Sequence, residues 1–119
     1  MLAFIKLGYT CSVPFGNSAK YDFIVDVNGE LLRIQCKSSH YVDDTKDAFY
    51  IDTSTSTVNT KEIKRYLYTN KDIDYFATSF ENEVYVISIE ECSGTTKTLR
   101  INPPKNGKLD YLKASDYLI

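Results

Sequence analysis

Three residues near the start of the chain have the types and spacing of a hydrolytic centre: Asp22, Gln35 and Lys37. Asp22 offers a charged oxygen and Gln35 a neutral one, and the backbone carbonyl of Cys36 between Gln35 and Lys37 offers a third. Hard divalent cations such as Mg²⁺ take oxygen ligands of this kind and keep several sites for water and substrate phosphate. Lys37 is placed to orient or deprotonate an attacking water, or to stabilise charge on a phosphate. The chemistry such a set suits is metal-assisted phosphodiester hydrolysis, with Asp22, Gln35 and Lys37 as catalytic residues. Asp22, Gln35 and the Cys36 carbonyl would hold the metal.

The stretch that must position them is a hairpin. Asn28-Gly29 is a strong signal for a two-residue turn with positive φ at both central positions. The flanking runs Tyr21–Val27 and Glu30–Lys37 are rich in β-branched and aromatic residues. Counting from the turn, Val27 faces Glu30, Asp26 faces Leu31, Ile24 faces Arg33 and Asp22 faces Gln35. Period-two alternation then puts Tyr21, Phe23, Val25, Val27, Leu32, Ile34 and Cys36 on a core face. Asp22, Ile24, Asp26, Leu31, Arg33, Gln35 and Lys37 share the opposite face, with Arg33 diagonal to Asp22 and Asp26 as an ion-pair partner.

Asp22, then twelve residues, then Gln35-Cys36-Lys37 resembles the PD-(D/E)XK nuclease superfamily, with Gln in the acidic position. Val13-Pro14-Phe15-Gly16, Tyr21-Asp22 and Arg33–Lys37 together resemble more narrowly the PD-(D/E)XK endonucleases of group I introns and other mobile elements. The resemblance continues through Asp74–Ala77, Val84–Ile87 and Leu99–Gly107. It implies an α/β, restriction-endonuclease-like core and cleavage of DNA with Mg²⁺ or Mn²⁺, in a protein of phage or mobile-element type. One departure stands out. The family's first helix carries a Glu that completes the metal site, and here no acidic residue precedes Asp22. Either the site is one carboxylate short, or another acid substitutes, or the fold is kept without the chemistry. In the last case the protein would bind DNA or inhibit a protein partner.

The 119 residues fit one domain, 1–119, large enough for a sizeable core. Net charge is −2, so nucleic acid would be held by a local positive patch rather than by bulk charge. Candidate contacts to nucleic acid are Lys20, Arg33, Lys61, Lys64 and Arg65, the last three on a predicted helix over 60–68 whose Ile63, Tyr66 and Leu67 share one side. The ten tyrosines are expected mostly in strands, some within reach of bases or phosphates. Cys11, Cys36 and Cys92 read as buried reduced thiols of a cytoplasmic protein. Met1–Leu7 is too short for a signal peptide and no run approaches membrane-spanning length. A chain of this size has a small DNA footprint, which makes a homo-oligomer possible.

Elsewhere the pattern predicts a helix over 1–7 capped at Gly8, with Leu2, Phe4 and Ile5 against the sheet. A strand follows over Tyr9–Val13. Ser39–Asp47 reads as a mobile polar segment, Ala48–Asp52 as a strand and Thr53–Thr57 as a connector. A second hairpin is expected around Glu81-Asn82, then a strand from Lys97 to Ile101 and a final helical turn over Ala114–Leu118. The expected architecture is a central mixed sheet flanked by the short first helix and the helix near 60–68.

Overall fold

The structure, a computed structural model, describes residues 1–16, 18–58, 63–107 and 111–119, with the backbone alone for 55–58 and 63–65. A short helix, α1 (Leu2–Lys6), leads into β1 (Thr10–Ser12). Then come β2 (Phe23–Val27), β3 (Glu30–Cys36), β4 (Ser39–Tyr41), β5 (Ala48–Asp52), β6 (Ser54–Val58) and β7 (Ile63–Leu67). The chain continues with β8 (Tyr75–Phe80), β9 (Glu83–Ser88) and β10 (Thr96–Arg100), with 3₁₀ turns at Ile89–Glu91 and Ala114–Tyr117.

The strands form a five-stranded sheet in the order β1-β2-β3-β8-β9, a three-stranded sheet β10-β5-β4, and a separate two-stranded ribbon β6-β7. Only the β3–β8 pair is parallel within the central sheet, which is therefore mixed. The Asn28-Gly29 turn has φ of 54° and 93°, as its residue types require, and sets the predicted register from Val27↔Glu30 to Ile24↔Arg33. Glu81 and Asn82, at φ of 52° and 66°, make the second tight turn between β8 and β9.

Two cores lie on opposite faces of the central sheet. Phe23, Val25, Ile34 and Ala77 pack under Phe4 of α1. Phe4 meets the edge of Phe23 with ring centroids 5.6 Å apart. On the other face Phe76, Phe80, Tyr85 and Ile87 meet Phe49 and Ile51 of β5 and Leu99 of β10. Phe49 stacks on Phe80 at 4.4 Å. The second core is thus a sheet-on-sheet interface, whose inner faces alternate with outward positions along each strand.

Several expectations fail here. The helix expected over 60–68 does not form across Ile63–Leu67, which is a strand paired with Ser54–Val58, so Thr53–Thr57 is no mere connector. The start of that expected helix, at residues 60–62, lies outside the described residues. Ser39–Tyr41 is a strand paired with Tyr41↔Phe49 to Ser39↔Ile51, held because β5 needs a second neighbour beside β10. Among the described residues, the flanking layer is β-structure on one face and the five-residue α1 on the other. Within α1, Phe4 alone is buried, while Leu2 and Ile5 are 62% and 48% exposed. A helix of that length presents one residue per turn to the sheet. Cys36 is exposed, and Cys11 and Cys92 are half-buried, all three as free thiols. No helix among the described residues is long and apolar enough to cross a membrane.

Candidate active site

The hairpin ladder ends one step short of the site. Phe23 opposes Ile34 in regular register. The next amide, that of Asp22, donates to the same Ile34 carbonyl at 2.8 Å instead of reaching Gln35. Two residues thus crowd one, as at a β-bulge, which re-aims a side chain at a strand end. The consequence for Tyr21 is a change of face. It packs against the sheet-on-sheet core and not with Phe23, contrary to strict alternation. The consequence for Asp22 is that its carboxylate turns to the end of β3, where Oδ2 accepts from the Cys36 N–H at 2.8 Å.

Gln35 lies beside Phe76 in the parallel register of β3 and β8. Its Nε2 donates a long 3.4 Å bond to the Cys36 carbonyl. Asp22 and Gln35 therefore both bond the backbone of Cys36, Asp22 at its N–H and Gln35 at its carbonyl, although Asp22 and Gln35 are not opposed as a ladder pair. All three are hard oxygen donors, with one negative charge among them. That set fits an oxygen-coordinated cation such as Mg²⁺ or Mn²⁺. Gln35 would present Oε1 by rotating its amide, at the cost of that long bond. The Cys36 thiol is pushed above its ordinary value by partial burial and by the Asp22 carboxylate.

Lys37 extends the parallel pairing, its amide donating to Ala77 at 2.9 Å. Its Nζ reaches across to the root of the ribbon and donates to the Ser54 carbonyl at 3.0 Å. The same ammonium lies 4.9 Å from the centre of the Tyr68 ring. Ser54 is held in turn by Asp52 Oδ1, which accepts from its amide and hydroxyl. Tyr68 meets Phe76 edge-on at 5.4 Å. Sequence reasoning missed Ser54 and Tyr68, because both reach Lys37 only through the folding of β6 and β7 back onto the sheet. Adjacent strand residues carry no local signal of that.

Of the candidate nucleic-acid contacts, Lys20 holds its Nζ 5.6 Å from the Tyr66 ring of β7. Lys64 and Arg65 fall on β7 of the ribbon, and Lys61 lies outside the described residues. Arg33 is spoken for within the protein. It donates through Nε and Nη2 to the two Asp74 oxygens at 3.1 and 3.2 Å, and to the carbonyls of Lys71 and Asn70. It is an ion-pair partner as predicted, but of Asp74 rather than of Asp22 or Asp26. Asp26 instead accepts from the Gly29 amide inside the turn. Arg33 thereby fixes the loop between Tyr68 and β8, and so the ring on which Lys37 rests.

This ion pair carries a pH signature. Hydrogen bonding from the Arg33 side chain holds the Asp74 carboxyl below the usual carboxylate range, against a smaller opposing effect of burial. A depressed folded-state value means stabilisation that is complete above the ordinary carboxylate range and lost as pH falls through the folded value. Asp74→Asn should therefore cost about 1–2 kcal/mol at neutral pH. The difference from the unsubstituted protein should shrink in acid. Urea unfolding across pH checks it, and a pH-independent difference would contradict it.

A central mixed sheet of five strands with a short helix on one face puts the chain in the α/β class. Over 98% of its length the chain superposes on 79% of the solved structure of a bacterial homing endonuclease, I-Ssp6803I, with a TM-score of 0.75 at 23% identity. That likeness is one of fold. The sequence model of the PD-(D/E)XK endonucleases matches residues 1–119, and the chain belongs to that family. A search of curated proteins returned no match.

Proposed function

We propose that this protein is a divalent-metal-dependent DNA endonuclease of the mobile-element or phage type. The observation that supports this most directly is that the Asp22 carboxylate and the Gln35 amide both bond the backbone of Cys36, at its N–H and its carbonyl. A cation held by those three oxygens would polarise a phosphoryl oxygen and acidify a bound water. Lys37 is the next residue along β3, and its ammonium would orient the attacking water and offset charge on the phosphate. Water adds to phosphorus as the bond to the leaving oxygen breaks. The ribbon β6-β7 stands beside the site and carries Lys64 and Arg65, and a two-stranded ribbon has the width of a DNA major groove. Lys20, Lys61, Lys64 and Arg65 are the residues proposed to meet phosphates.

With a single carboxylate, the site should bind metal weakly when no DNA is present, because affinity follows ligand charge. Cleavage of duplex DNA should be faster with Mn²⁺ than with Mg²⁺, since Mn²⁺ binds mixed-ligand sites more strongly. Calorimetric metal titration and a plasmid cleavage assay in both metals test this. Tight Mg²⁺ binding by the free protein would point to a further acid in the site. A second reading has one observation in its favour: among the described residues no group of three or more His, Cys, Asp or Glu side chains is placed to hold a metal. On that reading the protein binds DNA or a protein partner without cutting. Duplex binding with no cleavage in either metal would select it.

A further inference from the structure

Val13 and Phe15 are 65% and 109% exposed, so the phenyl ring of Phe15 stands wholly in solvent. Pro14 between them fixes its own φ, and Gly16 at φ 104° turns the chain through a region that glycine alone takes readily. The ring is therefore carried at a bend of the chain. Its position follows from register. β1 ends at Ser12, opposite Ile24, and β2 begins at Phe23. The loop joining them must stand at the end of the sheet where Asp22 and Cys36 lie. On the loop's far side Lys20 reaches the Tyr66 ring of the ribbon. A cation and a bare aromatic ring thus belong to the loop at the end of the sheet that carries Asp22 and Cys36.

Those two groups ask for different parts of one ligand. The cation suits a phosphate. A phenyl ring has no hydrogen-bonding atom with which to read a base edge or hold a phosphate. What it can do is enter between base pairs, as apolar wedges do, opening the stack and kinking the duplex. We propose that Phe15 is a wedge that enters a base step of duplex DNA beside the scissile phosphate. The proposal rests on the nuclease reading above and names its specificity device. The wedge favours steps that unstack easily, pyrimidine–purine steps above all, without reading their bases directly.

The chain contains no tryptophan, so Phe15→Trp places a single fluorescent indole at the tip. In Ca²⁺, to hold off cleavage, its emission should be quenched when duplex DNA is added. With the unsubstituted protein, a 2-aminopurine in the duplex should brighten at one or two positions as its neighbours unstack. Phe15→Ala should abolish the brightening and weaken binding to intact duplex by about five- to a hundredfold, the range of a lost base–aromatic stack. A duplex with an abasic gap at that step should restore much of the lost affinity. An unquenched indole in a complex that forms, or brightening that survives Phe15→Ala, overturns the wedge and leaves the nuclease reading standing. Loss of self-association in Phe15→Ala with unchanged brightening assigns the ring to a second copy of the chain and also overturns it. Failure of the unsubstituted protein to bind any duplex overturns both.

Discussion

Asp22→Asn should cut DNA at least about a thousandfold more slowly than the unsubstituted protein, which is the several kcal/mol a metal ligand contributes to the transition state. The fold should survive. The Asn side chain keeps an oxygen that can accept from the Cys36 amide, as the carboxylate does. What it loses is the single charge in a set whose other members are neutral, so the heat of metal binding should vanish with activity. Asp22→Ala should be as inactive and slightly less stable, by about 0.5–1.5 kcal/mol for a lost hydrogen bond. Asp26 is the natural control. It is a carboxylate on the same hairpin, but it caps the Gly29 amide in the turn. Asp26→Asn should leave cleavage unchanged. If Asp22→Asn cuts as well as the starting protein, the carboxylate is only a cap on the end of β3.

The hairpin that carries Asp22 was legible because its turn is local chemistry. Asn28 and Gly29 tolerate positive φ, and once the turn is set, period-two counting fixes each partner down to Phe23 and Ile34. The same holds for Glu81-Asn82. Counting failed one residue further, at the bulge, because Asp22 ends the ladder for reasons that lie in Cys36 and Ile34, fourteen and twelve residues away. The ribbon was misread for a different reason. Ile63, Tyr66 and Leu67 fit a helical face, yet five residues are too few to separate a period of 3.6 from a strand. Its partner, Ser54–Val58, has almost no apolar residues to betray a strand at all. The pairing is set by the backbone and by what surrounds the root of the ribbon, where Ser54 meets Lys37. The family resemblance pointed to Asp22, Gln35 and Lys37 without any of this, since it rests on residue order and not on packing.

Lys37 is where the ribbon and the site meet, and its removal should show which of two roles it has. Its Nζ lies on the Ser54 carbonyl at 3.0 Å and over the Tyr68 ring at 4.9 Å. Both contacts hold a cation without neutralising it, so the ammonium keeps its full charge for a phosphate or a water. Lys37→Met retains the length and apolar body of the side chain while removing the charge and donors. Cleavage should fall by about 10²–10⁴, the usual worth of a positioned proton-handling or charge-stabilising group. Binding of duplex DNA in Ca²⁺ should stay nearly intact. If binding and cleavage fall together, Lys37 is a phosphate contact, and if cleavage is unchanged it has no part in the site. Tyr68 supplies a second handle on the same question. Tyr68→Phe keeps the aromatic face and should cut normally. Tyr68→Leu removes the face, worth about 0.5–2 kcal/mol to a cation, and should lower kcat by about two- to thirtyfold without weakening DNA binding. A parallel loss in both Tyr68 variants would mean that the hydroxyl, and not the ring under Lys37, is what the site uses.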